Sequence, residues 1–222
     1  MKPTTTLATH TTDDGSKLVL QSHDGHHYLR IDGVQLMSTT ASSSEQQMAE
    51  IACQLVPAKP RVLIGGLGFG FTLRRTLELT PPDATVVVAE LLPEIISWNR
   101  EFLTEINGTL LDDPRVTIHQ GDVCDLLARA SGPDRFHAIM LDVDNSPDPL
   151  VQKGNARLYN RRGLEQAKAA LHPHGRVVYW SANQDRAFAR ALERTFAHTQ
   201  SIPAKAYPKA KRFTHTLFVG DR

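Results

Sequence analysis

Long apolar runs are missing from this sequence: none approaches the roughly 20 residues that cross a bilayer, so no membrane partner is expected. The polar N-terminal stretch MKPTTTLATHTTDDGSK lacks the apolar centre of a secretion signal, and a cytoplasmic location is the expectation. Charge of one sign is missing too. With 25 basic and 24 acidic residues the formal net charge is +1, so no global field draws the chain to nucleic acid. Cysteine is scarce. Cys53 and Cys124 stand far apart in no metal-ligand spacing, and they read as buried thiols in a reducing compartment. The 10 histidines are scattered, and neither HHY nor HPHG has ligand spacing, so no metal is expected.

What the chain does have is a change of rhythm at Pro60. Before it, KLVLQS and HYLRIDGVQLMS read as two strands around the Asp-Gly turn of HDGH. MAEIACQLV then places Met48, Ile51, Ala52 and Leu55 on one helical face, with an N-cap from the preceding serines. Residues 1–58 thus form an expected N-terminal β-hairpin and linking helix. From residue 59 to 222, apolar runs alternate with amphipathic helices: RVLIG, TVVVAEL, RVTIHQ, FHAIML and GRVVYWSA. Runs of that kind are parallel strands covered on both faces. The last two candidates, HTQSIPAKAY and RFTHTLFVG, have no helix between them and read as an antiparallel hairpin. The expected fold is α/β. Its layout resembles that of the class I S-adenosylmethionine-dependent methyltransferases, which implies a Rossmann-like nucleoside-binding catalytic domain.

Chemistry-bearing residues fall at the ends of these strands. In IGGLGFGFTLRRTLEL, Gly66, Gly68 and Gly70 lie between a strand and a helix, where a tight turn lets a ligand approach the backbone. A dinucleotide fingerprint needs a third glycine at position 71, which is Phe71, so NAD is disfavoured. Glu90 ends the second strand and is placed to accept from both ribose hydroxyls. Asp122, in GDV after the third strand, is placed to accept from an adenine amino group and equally to cap the helix VCDLLARA. The fourth strand runs into MLDVDNSPDP. Its aspartates repel one another unless something positive, a sulfonium or an ammonium, sits among them. Asp142 points to the ligand crevice, Asp144 serves equally as a turn residue, and Asp148 reads as one. Trp98, Tyr159, Tyr179 and Trp180 are candidate walls for a cation, with core packing the simpler reading of Trp98. The basic segment PAKAYPKAKR reads as a solvated loop.

Together these stretches resemble the spermidine synthase (polyamine aminopropyltransferase) family, from about Tyr28 to the end. YLRIDGVQL is similar to the family's hairpin segment, and the resemblance implies that Gln35 contacts the cofactor. VLIGGLGFGFTLR resembles its glycine loop, VVVAELLPEII its ribose-binding stretch with Glu90, and DDPRVTIHQGDV its adenine-binding segment with Asp122. LDVDNSPDP followed by LYNRRGLEQ resembles its Asp-rich loop and the Leu-Tyr beyond it. The resemblance implies that Asp142 accepts a proton, that Tyr159 is the matching tyrosine, that the substrate is a small amine or cation, and that the protein is a homodimer.

Departures from the pattern concern the amine. The family's glycine loop carries an aspartate that binds the aminopropyl amine; the position here is Phe69 or Gly68, according to the anchor chosen. The family's Tyr-His pair before the linking helix reads Glu45-Gln46, and the acid after Glu90 is Leu92. With the nucleoside half kept and the amine half rewritten, methyl transfer from S-adenosylmethionine to a small amine-bearing acceptor is the favoured expectation. Asp142 would take a proton or hold an ammonium, and Asp144 would raise its pKa. The alternative is an aminopropyltransferase that uses decarboxylated S-adenosylmethionine. A non-catalytic nucleoside-binding module is a further alternative.

Overall fold

The computed structural model describes residues 3–143 and 153–222. At the N-terminus, β1 (Thr5–Thr11), β2 (Lys17–His23), β3 (His26–Ile31) and β4 (Val34–Ser38) pair in chain order as an antiparallel sheet. Two strands are expected there and four are found. A second Asp-Gly step explains one of them. Asp24 and Gly25 have φ of 50° and 78°, and Asp32 and Gly33 have 48° and 82°. Positive φ at both central residues marks the two-residue type I′ turn, and the second such turn divides HYLRIDGVQLMS into β3 and β4. The other addition, β1, is polar, but its threonines are β-branched and suit an edge strand.

Helix α1 (Ser43–Cys53) follows, with Met48, Ala49, Ile51 and Ala52 buried as the periodicity predicts. It ends before Leu55, which is 58% exposed rather than part of the apolar face. Ser42 makes no side-chain bond to the helix backbone; its hydroxyl instead accepts from Gln46 Nε2 at 3.0 Å.

The remaining elements are β5 (Arg61–Gly65), α2 (Phe71–Leu79), β6 (Thr85–Glu90), α3 (Pro93–Glu101), the single turn α4 (Thr104–Asn107), β7 (Val116–Gln120), α5 (Val123–Arg129), β8 (Phe136–Leu141), α6 (Arg161–Ala170), β9 (Leu171–Ser181), α7 (Arg186–Thr195), β10 (His198–Ala204) and β11 (His215–Asp221). They build a seven-stranded sheet of order β10-β11-β9-β8-β5-β6-β7. Strands β5 to β9 are parallel, and β11 runs antiparallel to both of its neighbours. The chain lays down β5, β6 and β7 in one direction, then returns to place β8 and β9 on the other side of β5. Ligands of open α/β sheets bind at such a reversal, beyond the carboxyl ends of the strands.

Strand parity divides the core in two. Val62, Ile64, Val86, Val88, Ala138 and Met140 face α1, α2, α3 and the N-terminal sheet. Leu63, Val87, Ala89, Ile139 and Leu141 face α5, α6 and α7. Burial of both parities is why these strands read as unbroken apolar runs, and each buried aliphatic side chain contributes roughly 1.5–3 kcal/mol. Where the runs end, parity still rules: Glu90 follows Val86 and Val88, and Asp142 follows Ala138 and Met140. Both acids therefore emerge on the face that carries the N-terminal sheet and α1.

One buried cation ties that face together. Arg176 on β9 donates from Nε and Nη2 to the two carboxylate oxygens of Asp221, at 2.6 and 3.0 Å. Its Nη1 donates to the Ile51 carbonyl at 3.0 Å and to Gln54 Oε1 at 3.1 Å, which fastens the C-terminal end of α1 to the sheet.

Candidate functional site

Backbone bonds align the ends of the parallel strands. The Asp142 amide donates to the Gly65 carbonyl, Gly66 to Ala89, and Gly121 to Glu90, at 2.9, 2.9 and 2.8 Å. These bonds extend the ladder by one step past β5, β7 and β8. They bring Glu90, Asp122 and Asp142 to one lip, where a cleft of about 900 Å³, counted to its open mouth, lies among them. Gly66 and Gly68 line it, as do Gly121 and Val143. Its outer wall comes from the N-terminal sheet: Leu18 on β2, Leu29 on β3, and Leu36 and Met37 on β4. Leu91, Leu92 and Ile95 complete an aliphatic surround.

The glycine loop is tight for stated reasons. Gly66 has φ of 93°, and a Cβ there would strike the Asp142 carbonyl oxygen. A Cβ on Gly68, at φ of 51°, would come within 2.6 Å of the Met37 methyl carbon. Both positions need the conformational range of glycine and its lack of bulk. Buried asparagines hold the loop from below. Asn99 Nδ2 donates to the Gly68 carbonyl at 2.8 Å, and Asn107 Nδ2 donates to Asn99 Oδ1 at 2.6 Å. Sequence reasoning missed this pair. The available signal was two amides spaced along the apolar segment IISWNREFLTEIN.

Glu90 is buried and bonded on both oxygens. Oε2 accepts from the Leu67 amide and Oε1 from the Leu92 amide, each at 2.9 Å. Burial pushes its carboxyl above the usual range, and the backbone donors oppose that shift. The amides of Leu91 and Gly68 are further donors to this carboxylate. Asp122 performs the capping role: its Oδ1 accepts from the Cys124 amide at 2.8 Å at the start of α5. It also lines the cleft, and its Oδ2 pairs with Arg157.

The other residues singled out in the sequence fall elsewhere. Asp144 and Asp148 lie outside the described residues. Gln35 on β4 is exposed and lines neither the cleft nor the smaller cavity beside it. Gly70, at φ of 77°, is the N-cap of α2 and borders neither space. Tyr159 is buried among aromatic rings, with its centroid 5.9 Å from Tyr179 and 5.3 Å from Phe188. Tyr179 belongs to that same cluster, on the α6 and α7 face. Trp180 has the opposite parity and packs on His215 at 4.7 Å, and Trp98 is core. The expected aromatic walls are thus replaced by aliphatic ones, because strand and helix packing claims all four rings.

The smaller cavity, about 270 Å³, opens beside the cleft and shares Met37, Gly66, Gly68 and Asp142 with it. Phe69 borders it, and so does Glu45 from the first turn of α1. Ser44 Oγ donates to Glu45 Oε2 at 2.5 Å. Burial pushes the Glu45 carboxyl above its ordinary range, and the Ser44 bond opposes the shift. Glu45 stood in the sequence only as a departure from a family pattern, and nothing local signals that a helix start reaches the glycine loop.

No family model matches the chain. Over 127 residues it is 35% identical to the polyamine aminopropyltransferase of Corynebacterium efficiens, covering 57% of this chain and 23% of that protein. Over 183 residues it is 29% identical to polyamine aminopropyltransferase 1 of Hyperthermus butylicus, covering 80% of this chain and 60% of that protein. The chain therefore spans less than two-thirds of the length of these relatives. In structure it superposes on the spermidine synthase of Thermotoga maritima with a TM-score of 0.77 and 17% identity, over 97% of this chain and 72% of that one. These findings overturn the expectation of methyl transfer, since the relatives are aminopropyltransferases by name. Phe69 is moreover not remote from carboxylates, because Glu45 and Asp142 border the cavity that Phe69 borders. In sequence the chain is similar to polyamine aminopropyltransferases, and its fold is that of the spermidine synthases.

Proposed function

We propose that this protein transfers an aminopropyl group from decarboxylated S-adenosylmethionine to a small amine. The observation that carries the reading is the single cleft in which the glycine loop, Glu90, Asp122 and Asp142 converge at the point of strand reversal. The names of the sequence relatives support the reaction type, and a spermidine synthase of the same fold forms a complex with the transition-state analogue AdoDATO.

In this reading Glu90 accepts from the ribose hydroxyls, and Asp122 accepts from the adenine amino group. The aliphatic wall from β2, β3 and β4 excludes water from the sulfonium. The acceptor nitrogen attacks the aminopropyl carbon on sulfur. A C–N bond forms, the C–S bond breaks, and its electron pair goes to sulfur, which leaves as the neutral thioether methylthioadenosine. Asp142 takes the proton that the amine must lose, or holds the ammonium before it does. Alignment of nitrogen and sulfonium contributes much of the rate.

The test is incubation of the full chain with decarboxylated S-adenosylmethionine and a mixture of diamines, followed by mass spectrometry. The expected products are an acceptor heavier by one aminopropyl group and an equal amount of methylthioadenosine. Methylated acceptors from S-adenosylmethionine, with no aminopropyl product, would overturn the reading. Nucleoside binding with no product from any amine would point instead to a non-catalytic module.

A further inference from the structure

Aminopropyl transfer from a decarboxylated donor requires a place for the primary ammonium at the end of the donor's chain, and the glycine loop of this protein has no acid to receive it. Position 69 is a phenylalanine that is 3% exposed, and position 68 is a glycine pressed against Met37. The cavity next to that loop nevertheless has acids on its border. Glu45 approaches from the start of α1, and Asp142 from the end of β8. The remaining border is Gly66, Gly68, Thr72 and the apolar residues Met37, Leu67, Phe69 and Phe71. Phe69 and Phe71 meet edge to face at 6.4 Å, which makes one side of the cavity an apolar wall suited to a short methylene chain.

Glu45 is held there at a cost. Burial raises its pKa, against the opposing bonds from the neighbouring Ser44 hydroxyl and from its own amide. Among the described residues no lysine, arginine or histidine pairs with it. A carboxylate taken out of water without a cation is stabilised by any cation that enters. The cavity shares four bordering residues with the main cleft and so adjoins it at the glycine loop.

We propose that Glu45 receives the primary ammonium of the donor's aminopropyl chain and so selects the decarboxylated donor over S-adenosylmethionine. This rests on the aminopropyl reading above. Discrimination follows from charge. The decarboxylated tail presents an ammonium alone, whereas S-adenosylmethionine adds a carboxylate that Glu45 and Asp142 repel.

Calorimetric titration of the full chain tests it, with decarboxylated S-adenosylmethionine, S-adenosylmethionine and methylthioadenosine as the three probes. Methylthioadenosine carries no ammonium and reports the nucleoside end alone. In Glu45→Gln the decarboxylated donor should bind about 10- to 100-fold more weakly, as expected for loss of a charged hydrogen-bonded partner. Methylthioadenosine should bind as in the wild type, and preference over S-adenosylmethionine should shrink. Glu45→Asp, which keeps the charge, should recover part of the loss. Unchanged donor binding in Glu45→Gln would overturn the proposal and leave aminopropyl transfer standing. Equal weakening of donor and methylthioadenosine would overturn it too, by assigning Glu45 a structural role. A wild type that binds none of the three would overturn both readings together.

Discussion

The two ends of the cleft are built differently. At the end proposed to hold the nucleoside, Glu90 and Asp122 extend from parallel strands whose last backbone groups are bonded across β5, β6, β7 and β8. Position there follows directly from the sheet. At the end proposed to hold the tail, the border is shared by Met37 of β4, Glu45 of α1 and the glycine loop, segments that meet only by packing. A sheet end is one cooperative unit, so it tolerates little change. A meeting of three separate segments can exchange which of them supplies an acid. In the proposed reading Phe69 and Glu45 are such an exchange, and the difference teaches where specificity can shift while Glu90 and Asp122 keep their places.

The largest expected effect lies where the two ends join. Asp142→Asn should lower the aminopropyl transfer rate by about 10²- to 10⁴-fold, the usual range for a lost general base, while methylthioadenosine binding changes little. Rates and titrations on the same preparation check this, and a variant that turns over normally would break the link between the ends. Next comes the support of the tail end. Arg176→Ala removes the bidentate pair with Asp221 and the bond to the Ile51 carbonyl of α1. The expected loss is about 3 kcal/mol in urea unfolding, as for a broken buried pair. A loss below about 1 kcal/mol, typical of surface pairs, would mean that α1 is held independently of Arg176.

The smallest effect is the pH dependence of stability. Burial sets the Glu45 pKa above its value in the unfolded chain. In the window between the two values the folded state holds a proton that the unfolded state has released. Stability from this group is thus greatest below the unfolded value near pH ~4.3 and declines as pH rises through the raised folded value. Glu45→Gln should flatten that decline in a series of thermal melts. Glu90 shifts in the same direction in both proteins, so the difference between the two series isolates Glu45. Parallel curves would show that Glu45 titrates alike in the folded and unfolded chains.

Much of this was legible in the sequence, and particular residues show why. RVLIG, TVVVAEL and FHAIML read as parallel strands because both of their faces are buried. Glu90 and Asp142 stood out because a carboxylate ends an apolar run. Asp122 allowed two readings from sequence, and both its capping bond and its place on the cleft are present. Legibility failed where a residue's partners are distant in the chain. Tyr179 and Trp180 sit side by side at a strand end yet face opposite cores, and their parity is settled only by what packs on each face. Asn99 and Asn107 hold the glycine loop across 31 and 8 residues of separation, beyond any local pattern. The threonine-rich β1 carried no apolar alternation, and the second Asp-Gly turn was hidden inside a longer strand-like run.

By itself the sequence determined the order of strands and helices from β5 onward, the glycine turn, and the acids at the strand ends, because each is a local matter of hydrophobic period, turn chemistry or a charge that ends an apolar run. Tertiary structure alone decided that β2, β3 and β4 wall the cleft and that Glu45 stands beside Phe69 and Asp142. The reason is physical: an acid's role depends on what its burial and neighbours do to its charge, and those neighbours are brought together only when separate segments pack.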